Sequence, residues 1–295
     1  TLMYALGLRH DSMAVEQGVA TVRRWVTDAR RILTTDEIRH EVKSMNLEVA
    51  ETAAIFLVQA IDSDPMPESA TIALDWVGLY QGDEPKTRRR LYDNRLWNER
   101  LRPEIQKAKH SLRSKGFQRV LVRGYMRLPS WFSVGAELGE TAGFEAITFQ
   151  GGQEWSSNGA MSDLPVSIIR DEVIGTGGDL AIGVSLSVDL SDDVLAYLTS
   201  DVPAVGRYVC LAPTTGPNNR SIRDSFEARQ WALNLRNQVR DVVRKYQPKK
   251  LHLFLATPGG AALLLGHLWD RMPDTQLYED QGACNGYLPS FLIPN

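Results

Sequence analysis

Cysteine is scarce: Cys210 and Cys284 are the only two in 295 residues, so neither a disulfide framework nor a cysteine-rich zinc site is available. His10, His40, His110, His252 and His267 are scattered without metal-ligand spacing, and no metal site is expected. No apolar run approaches the roughly 18 to 20 residues that span a bilayer. No signal-peptide pattern opens the chain either, so the expected location is cytoplasmic, with no membrane partner. A basic excess is also missing: a net charge of −3 argues against a domain that coats DNA or RNA directly.

Catalytic fingerprints are absent too. There is no P-loop, no G-x-S-x-G, no H-E-x-x-H and no complete G-x-G-x-x-G. "EVIGTGG" is a turn, because Leu180 fills the last glycine position and no helix is expected after it. Asp36 with Glu41 and Lys43 superficially matches a metal-dependent nuclease set, but the stretch reads as a helix, and its charges as a solvated face. No catalytic residue and no cofactor are expected. The chain opens on Thr1 rather than Met, which marks it in this reading as a fragment or a processed product.

What is present is an ordinary globular balance, 43% hydrophobic and 23% charged, in a chain long enough for one or two domains. Residues 1–62 read as three helices: "AVEQGVATVRRWVTDARRIL", a second capped by Thr35 or Asp36, and "NLEVAETAAIFLVQAID". They are expected to form a helical linker or the remnant of an upstream effector. The polar stretch "DSDPMPES", 62–69, is the expected boundary.

From residue 70 the texture is α/β. "TIALDWVGLY" reads as a strand. Trp97, Leu101, Ile105, Ala108 and Leu112 form a helix stripe with Pro103 in its first turn and Gly116 as its C-terminal cap. "FQRVLVRG" is a strand. "GRYVCLAP" then begins the same order again, with a helix from the capping pair Asp224 and Glu227 to Gln247-Pro248, and the strand "KKLHLFLA". After these strands "VLVRGYMRLPSWFSVG" and "LFLATPGGAALLLG" each run through a turn and an apolar stretch to Gly135 and Gly266. "FEAITFQ" and "DTQLYED" follow as matching strands. The order strand, helix, strand, turn, helix, strand is thus repeated, which predicts two fused Rossmann-like halves, about 70–165 and 180–295. "GDLAIGVSLSVDL" between them reads as a half-buried strand.

Ligands of open α/β sheets bind beyond the carboxyl ends of the strands, so residues at those ends are candidates. Asp75 and Trp76 end one strand, with a capped strand and a core Trp as the plainer reading. Arg127, after Gly124 and before a helix start, suits a phosphate, together with the backbone around Ser130. Trp131 and Trp155 offer stacking faces, and Gln150 and Gln153 in "FQGGQEW" can read a base edge; a hairpin turn is the alternative there. Thr257, Pro258, Gly259, Gly260 and Ala261 let a ligand approach the backbone, and Tyr278 ends the matching strand as a stacking candidate or a buried tyrosine. The run Arg88-Arg89-Arg90 is weaker evidence, since most surface arginines are merely solvated. Two such turns facing each other make one pocket with two anion-accepting ends, suited to an extended or cyclic nucleotide.

The "ALDW" strand, "RGYMRLPSWFSVG", "FQGGQEW", "HLFLATPGGAALLLGHL" and "LYED…YLPSF" resemble, in order and spacing, the SAVED domain family of bacterial antiphage sensors. The resemblance runs from near Ile72 to the C-terminus. It implies two CARF-like halves that bind a cyclic oligonucleotide, tri- or tetraadenylate-like, and assemble head-to-tail to switch on an effector fused in cis. Residues 1–62 depart from the family's pattern, being too short and too helical for a complete effector. The rival expectation is a phosphodiesterase cleaving a cyclic nucleotide in the same cleft. A third is a plain α/β interaction domain.

Overall fold

The computed structural model describes residues 12–28, 34–45, 53–158, 162–282 and 286–295. The chain divides into two compact units, Thr1–Thr52 and Ala53–Asn295. In the first, helices α1 (Ser12–Thr27) and α2 (Thr35–Ser44) meet through an Arg24–Glu41 ion pair at 2.9 Å and a Thr21 Oγ1 hydrogen bond to Met45 Sδ. Thr34, rather than Thr35 or Asp36, starts α2: its hydroxyl accepts from Glu37 N, while Glu37 Oε2 accepts from Thr34 N at 2.9 Å, a reciprocal capping box.

In the second unit β1 (Ala54–Gln59) corrects the expectation of a third helix over 46–62; residues 46–52 lie outside the described residues. All six of its residues are buried. A parallel strand covered on both faces has no polar alternation, so Ala-Ile-Phe-Leu-Val reads equally well as helix or strand from the pattern alone. The polar stretch at 62–69 is consequently a connection inside this unit, between β1 and β2 (Ile72–Asp75).

Then come α3 (Arg102–Ser114), β3 (Arg119–Tyr125), α4 (Leu128–Glu137), β4 (Glu145–Gln150) and β5 (Gln153–Ser156). Pro103 sits in the first turn of α3, and Gly116 follows its end at φ 79°. The second part runs β6 (Val166–Val173), β7 (Asp179–Ser185), α5 (Ser191–Asp201), β8 (Val205–Pro213), α6 (Ser225–Tyr246), β9 (Leu251–Ala256), α7 (Gly259–His267), β10 (Thr275–Asp280) and β11 (Tyr287–Ile293). Asp224 caps α6 by accepting from Glu227 N at 2.9 Å, as its spacing predicts.

The strand orders disclose the duplication. One sheet is β2-β1-β3-β4-β5; the other, read from its far edge, is β6-β8-β7-β9-β10-β11. In each, the first four shared strands are parallel, and the last returns antiparallel. The fold is α/β with two Rossmann-like halves. β7 is the counterpart of β1, so the half-buried strand expected between the halves is instead a central strand, buried from Leu180 to Ser185. The repeat is therefore two strands longer in each half than the sequence pattern discloses, by β1 or β7 and by the antiparallel return β5 or β11.

α4 and α7 join the halves back to back. A Cβ on Gly135 would overlap the carbonyl oxygen of Leu263, and one on Gly266 would overlap that of Phe132. α7 is buried on all sides from Gly260 to His267, which explains its composition of Ala, Leu and Gly: a helix apolar all round belongs in a core.

Candidate functional site

Because α4 and α7 pack through glycines, their N-termini open side by side, each at the carboxyl end of its own parallel sheet. α4 is entered from Arg127 (ψ 159°) and α7 from Pro258 (ψ 152°); neither cap residue bonds a first-turn N–H with its own side chain, although Gln150 from the other half takes that of Gly260. The positive ends of both helix dipoles point to this place, a condition for accepting an anion.

Cross-half contacts fix the site. Gly259 faces the Trp131 ring so closely that a Cβ would lie 2.6 Å from Nε1. Gly260 donates to Gln150 Oε1 at 3.3 Å and packs on Thr148 and Trp155. Trp131, Gln150, Trp155, Pro258, Gly259 and Gly260, all expected from sequence, are thus brought together from both halves. Beside them is a cavity of about 360 Å³ whose walls include Trp131, Tyr125, Phe149, Met66 and Arg123. Phe149 and Tyr125 are 59% and 48% exposed, unusual for large aromatic residues, and sequence reading missed both. Phe149 carried a signal: it directly precedes Gln150 at the strand end, where the side chain pointing away from the core is aromatic.

Other candidates are placed elsewhere. Asp75 is exposed at the end of β2 and accepts from Val77 N. Trp76 is fully buried and donates to Glu104 Oε2 at 2.6 Å, so it is a core residue and not a stacking platform. Gln153 is exposed opposite Gln150 in the β4–β5 pairing. Trp155 offers no open face, being 4% exposed under Gly260. Ala261 is buried, and Ser130 and Thr257 are buried with hydroxyls that find no partner among the described residues. Tyr278 stacks on Phe254 with centroids 4.3 Å apart and is hydrogen-bonded to His252 Nδ1 at 2.8 Å, which fixes it in the core behind β10. Burial holds both His252 and His267 below the usual imidazole pKa, and His267 Nδ1 bonds to Leu138 O, so His267 is packed away from the glycine turn.

The match with known proteins agrees with this architecture. The model of the SAVED family, described as the SMODS-associated and fused to various effectors sensor domain, matches residues 97–293. The chain belongs to the SAVED family. It is 27% identical over 242 residues to CD-NTase-associated protein 4 of Enterobacter hormaechei, covering 78% of this chain and 45% of that protein. Among solved structures, an Acinetobacter baumannii Cap4 SAVED/CARF-domain containing receptor with 2′3′3′-cAAA superposes with a TM-score of 0.68 at 16% identity, over 88% of this chain and 56% of that one. The corresponding Moraxella osloensis receptor gives 0.57 at 15%, over 88% and 53%. These likenesses establish the fold, and the chain spans about half the length of the relatives it matches.

Electrostatics divide the surface of the SAVED domain. One cavity, about 850 Å³, is lined by Asp193, Asp201 and Asp280 with Tyr197 and Tyr287, the wrong sign for a phosphate ligand. Arg127, expected as a phosphate clamp, points instead to the loop before α3: its Nε donates to Arg88 O at 2.9 Å, and its terminal nitrogen to Arg88 O and Pro85 O. Glu279 at the end of β10 lies 3.7 Å from Arg127 Nε. Burial pushes the Glu279 carboxyl up to about 8, with Arg127 and Arg89 pulling the other way. The 3.7 Å separation makes this a loose pair in a dry site, which explains why burial outweighs the attraction.

Proposed function

We propose that this SAVED domain is a sensor that binds a cyclic oligonucleotide, a cyclic tri- or tetranucleotide, across the seam where α4 and α7 begin. The observation that carries the reading is the pairing of two helix N-termini, side by side at the carboxyl ends of two equivalent sheets, with an aromatic-walled cavity of the first half beside them. The helix ends suit phosphates, Trp131, Tyr125 and Phe149 suit the faces of bases, and the Gln150 amide suits a base edge. The A. baumannii receptors solved with 2′3′3′-cAAA and 3′3′3′-cAAA support a cyclic triadenylate as the first ligand to try.

In the full protein, binding favours a head-to-tail assembly that activates an effector in cis. The free energy for that step is limited to what the ligand gains in the assembled state over the free one. Residues 1–52 contribute the linker or an assembly surface in this reading.

Native mass spectrometry against cyclic di-, tri- and tetranucleotides tests both parts, reading bound mass and oligomeric state together. Selective binding of one ring size with a shift to higher oligomers is the expected result. A bound mass that decays to linear fragments would make the site a phosphodiesterase, and no binding across the panel would end the sensor reading.

A further inference from the structure

We infer that the loop Tyr80–Leu91 is a strap carrying a phosphate-accepting subsite made by Arg89 and Arg90, an inference that rests on the sensor reading above. The strap is closed at its base by a Tyr80–Leu91 bridge and by Gln81 N donating to Arg90 O at 2.8 Å. Two arginines hold its shape. Arg88 turns inward and donates to the carbonyls of Gly82, Asp83 and Ile61, and Arg127 takes the carbonyls of Pro85 and Arg88 from the start of α4.

The next two residues have different surroundings. Arg89 Nη1 donates to Asp280 O at 3.1 Å, tying the strap to the second sheet. Arg90 is exposed, and its guanidinium makes no hydrogen bond or ion pair with any described residue. Arg89 and Arg90 line a cavity of about 330 Å³ together with Gln81, Thr87 and Gln281. Among the described residues its lining contains two guanidiniums, three neutral hydrogen-bonding side chains and no carboxylate. That composition selects an anion bearing further donors and acceptors, which a nucleoside phosphate is and a simple salt ion is not. The raised pKa of Glu279 leaves this carboxyl largely uncharged at neutral pH, so it does little to cancel the positive field of Arg127 and Arg89.

The arginine run and Arg127 thus belong to one device. Arg127 and Arg88 are positioning residues, and Arg89 and Arg90 are the ones that meet the ligand.

The test is calorimetry of this chain with 3′3′3′-cAAA and 2′3′3′-cAAA at two salt concentrations, using the parent, Arg90→Ala, Arg90→Glu and Arg89→Ala with Arg90→Ala. The expected result is at least a tenfold rise in Kd for the double variant, a larger one for Arg90→Glu, and a flatter salt dependence. Tm should match the parent for both Arg90 single variants, because that side chain has no intramolecular partner. Parent-like affinity and salt dependence in Arg90→Glu would overturn the subsite while leaving the sensor reading standing. A parent that binds neither trinucleotide, nor any other ring in the panel, overturns the reading and the subsite with it.

Discussion

Gly135 and Gly266 hold equivalent places in the two halves, and each lies against the backbone three residues before the other. A side chain on Gly135 would run into the carbonyl of Leu263, and one on Gly266 into that of Phe132. This reciprocal contact is the pseudo-twofold junction of the molecule. It sets the separation of α4 and α7 and thereby brings their N-termini to one site.

Gly135→Ala and Gly266→Ala should each destabilise the second unit. Alanine gains about 1 kcal/mol in helix propensity over glycine. Overpacking costs about 1–3 kcal/mol and falls here on backbone atoms, which yield only if the whole helix moves. The net effect is a loss, read as a Tm lower by several degrees. The double variant should lose less than the sum, since one helix displacement relieves both contacts. Strict additivity in urea titrations would show that the two glycines act separately.

Gly259→Ala separates site from scaffold. Its Cβ would meet Trp131 Nε1 at 2.6 Å, and the partly buried indole is what must move. Affinity for the bound cyclic nucleotide should fall several-fold while Tm changes little. An unchanged Kd would remove Trp131 from the ligand's surroundings.

Arg127→Ala is expected to act on structure first. It strips the donors from Pro85 O and Arg88 O and leaves Glu279 buried without its facing cation. A loss of about 1–3 kcal/mol follows from the missing charge-assisted hydrogen bonds, because the carbonyls they serve are at most half-buried. Hydrogen exchange should accelerate across 82–90, and weaker binding should accompany it. Exchange at the parent rate would show that the strap holds its shape by other means.

Glu279 predicts a pH dependence. The groups facing it are Arg127, Arg89 and Asp280, and the Tyr80 phenol lies close by. Its carboxyl titrates near 4.5 when unfolded and near 8 when folded, so between these values the native state holds a proton that the unfolded state releases. Stability from this group is therefore full below about pH 4.5, declines as pH rises toward 8 and is flat above, opposite to the usual salt-bridged acid. Glu279→Gln should abolish that decline in denaturant titrations at pH 5 to 8. An identical slope in the variant would assign the titration to another group.

Much of this was legible in the residues. The glycine spacing after the paired strands disclosed the duplication, and the capping pair Asp224 and Glu227 located α6. A glutamine at a strand end led to Gln150, and an aromatic residue in the turn before a helix led to Trp131. Trp76, Trp155 and Tyr278 were not separable from Trp131 by sequence, because an indole or phenol at a strand end looks alike whether it faces solvent or core. β1 was misread because a strand buried on both faces loses the alternation that would distinguish it.

The sequence by itself determined the α/β class, the doubled order of elements and the absence of catalytic and metal-binding patterns, since these follow from local periodicity, composition and spacing. Only the tertiary structure decided which aromatic faces are open, that Arg127 latches a loop rather than standing free, and that a passed-over arginine run lines a cavity with Gln281. Those depend on contacts between residues from about forty to nearly two hundred positions apart, and no local pattern encodes which partner a side chain will meet.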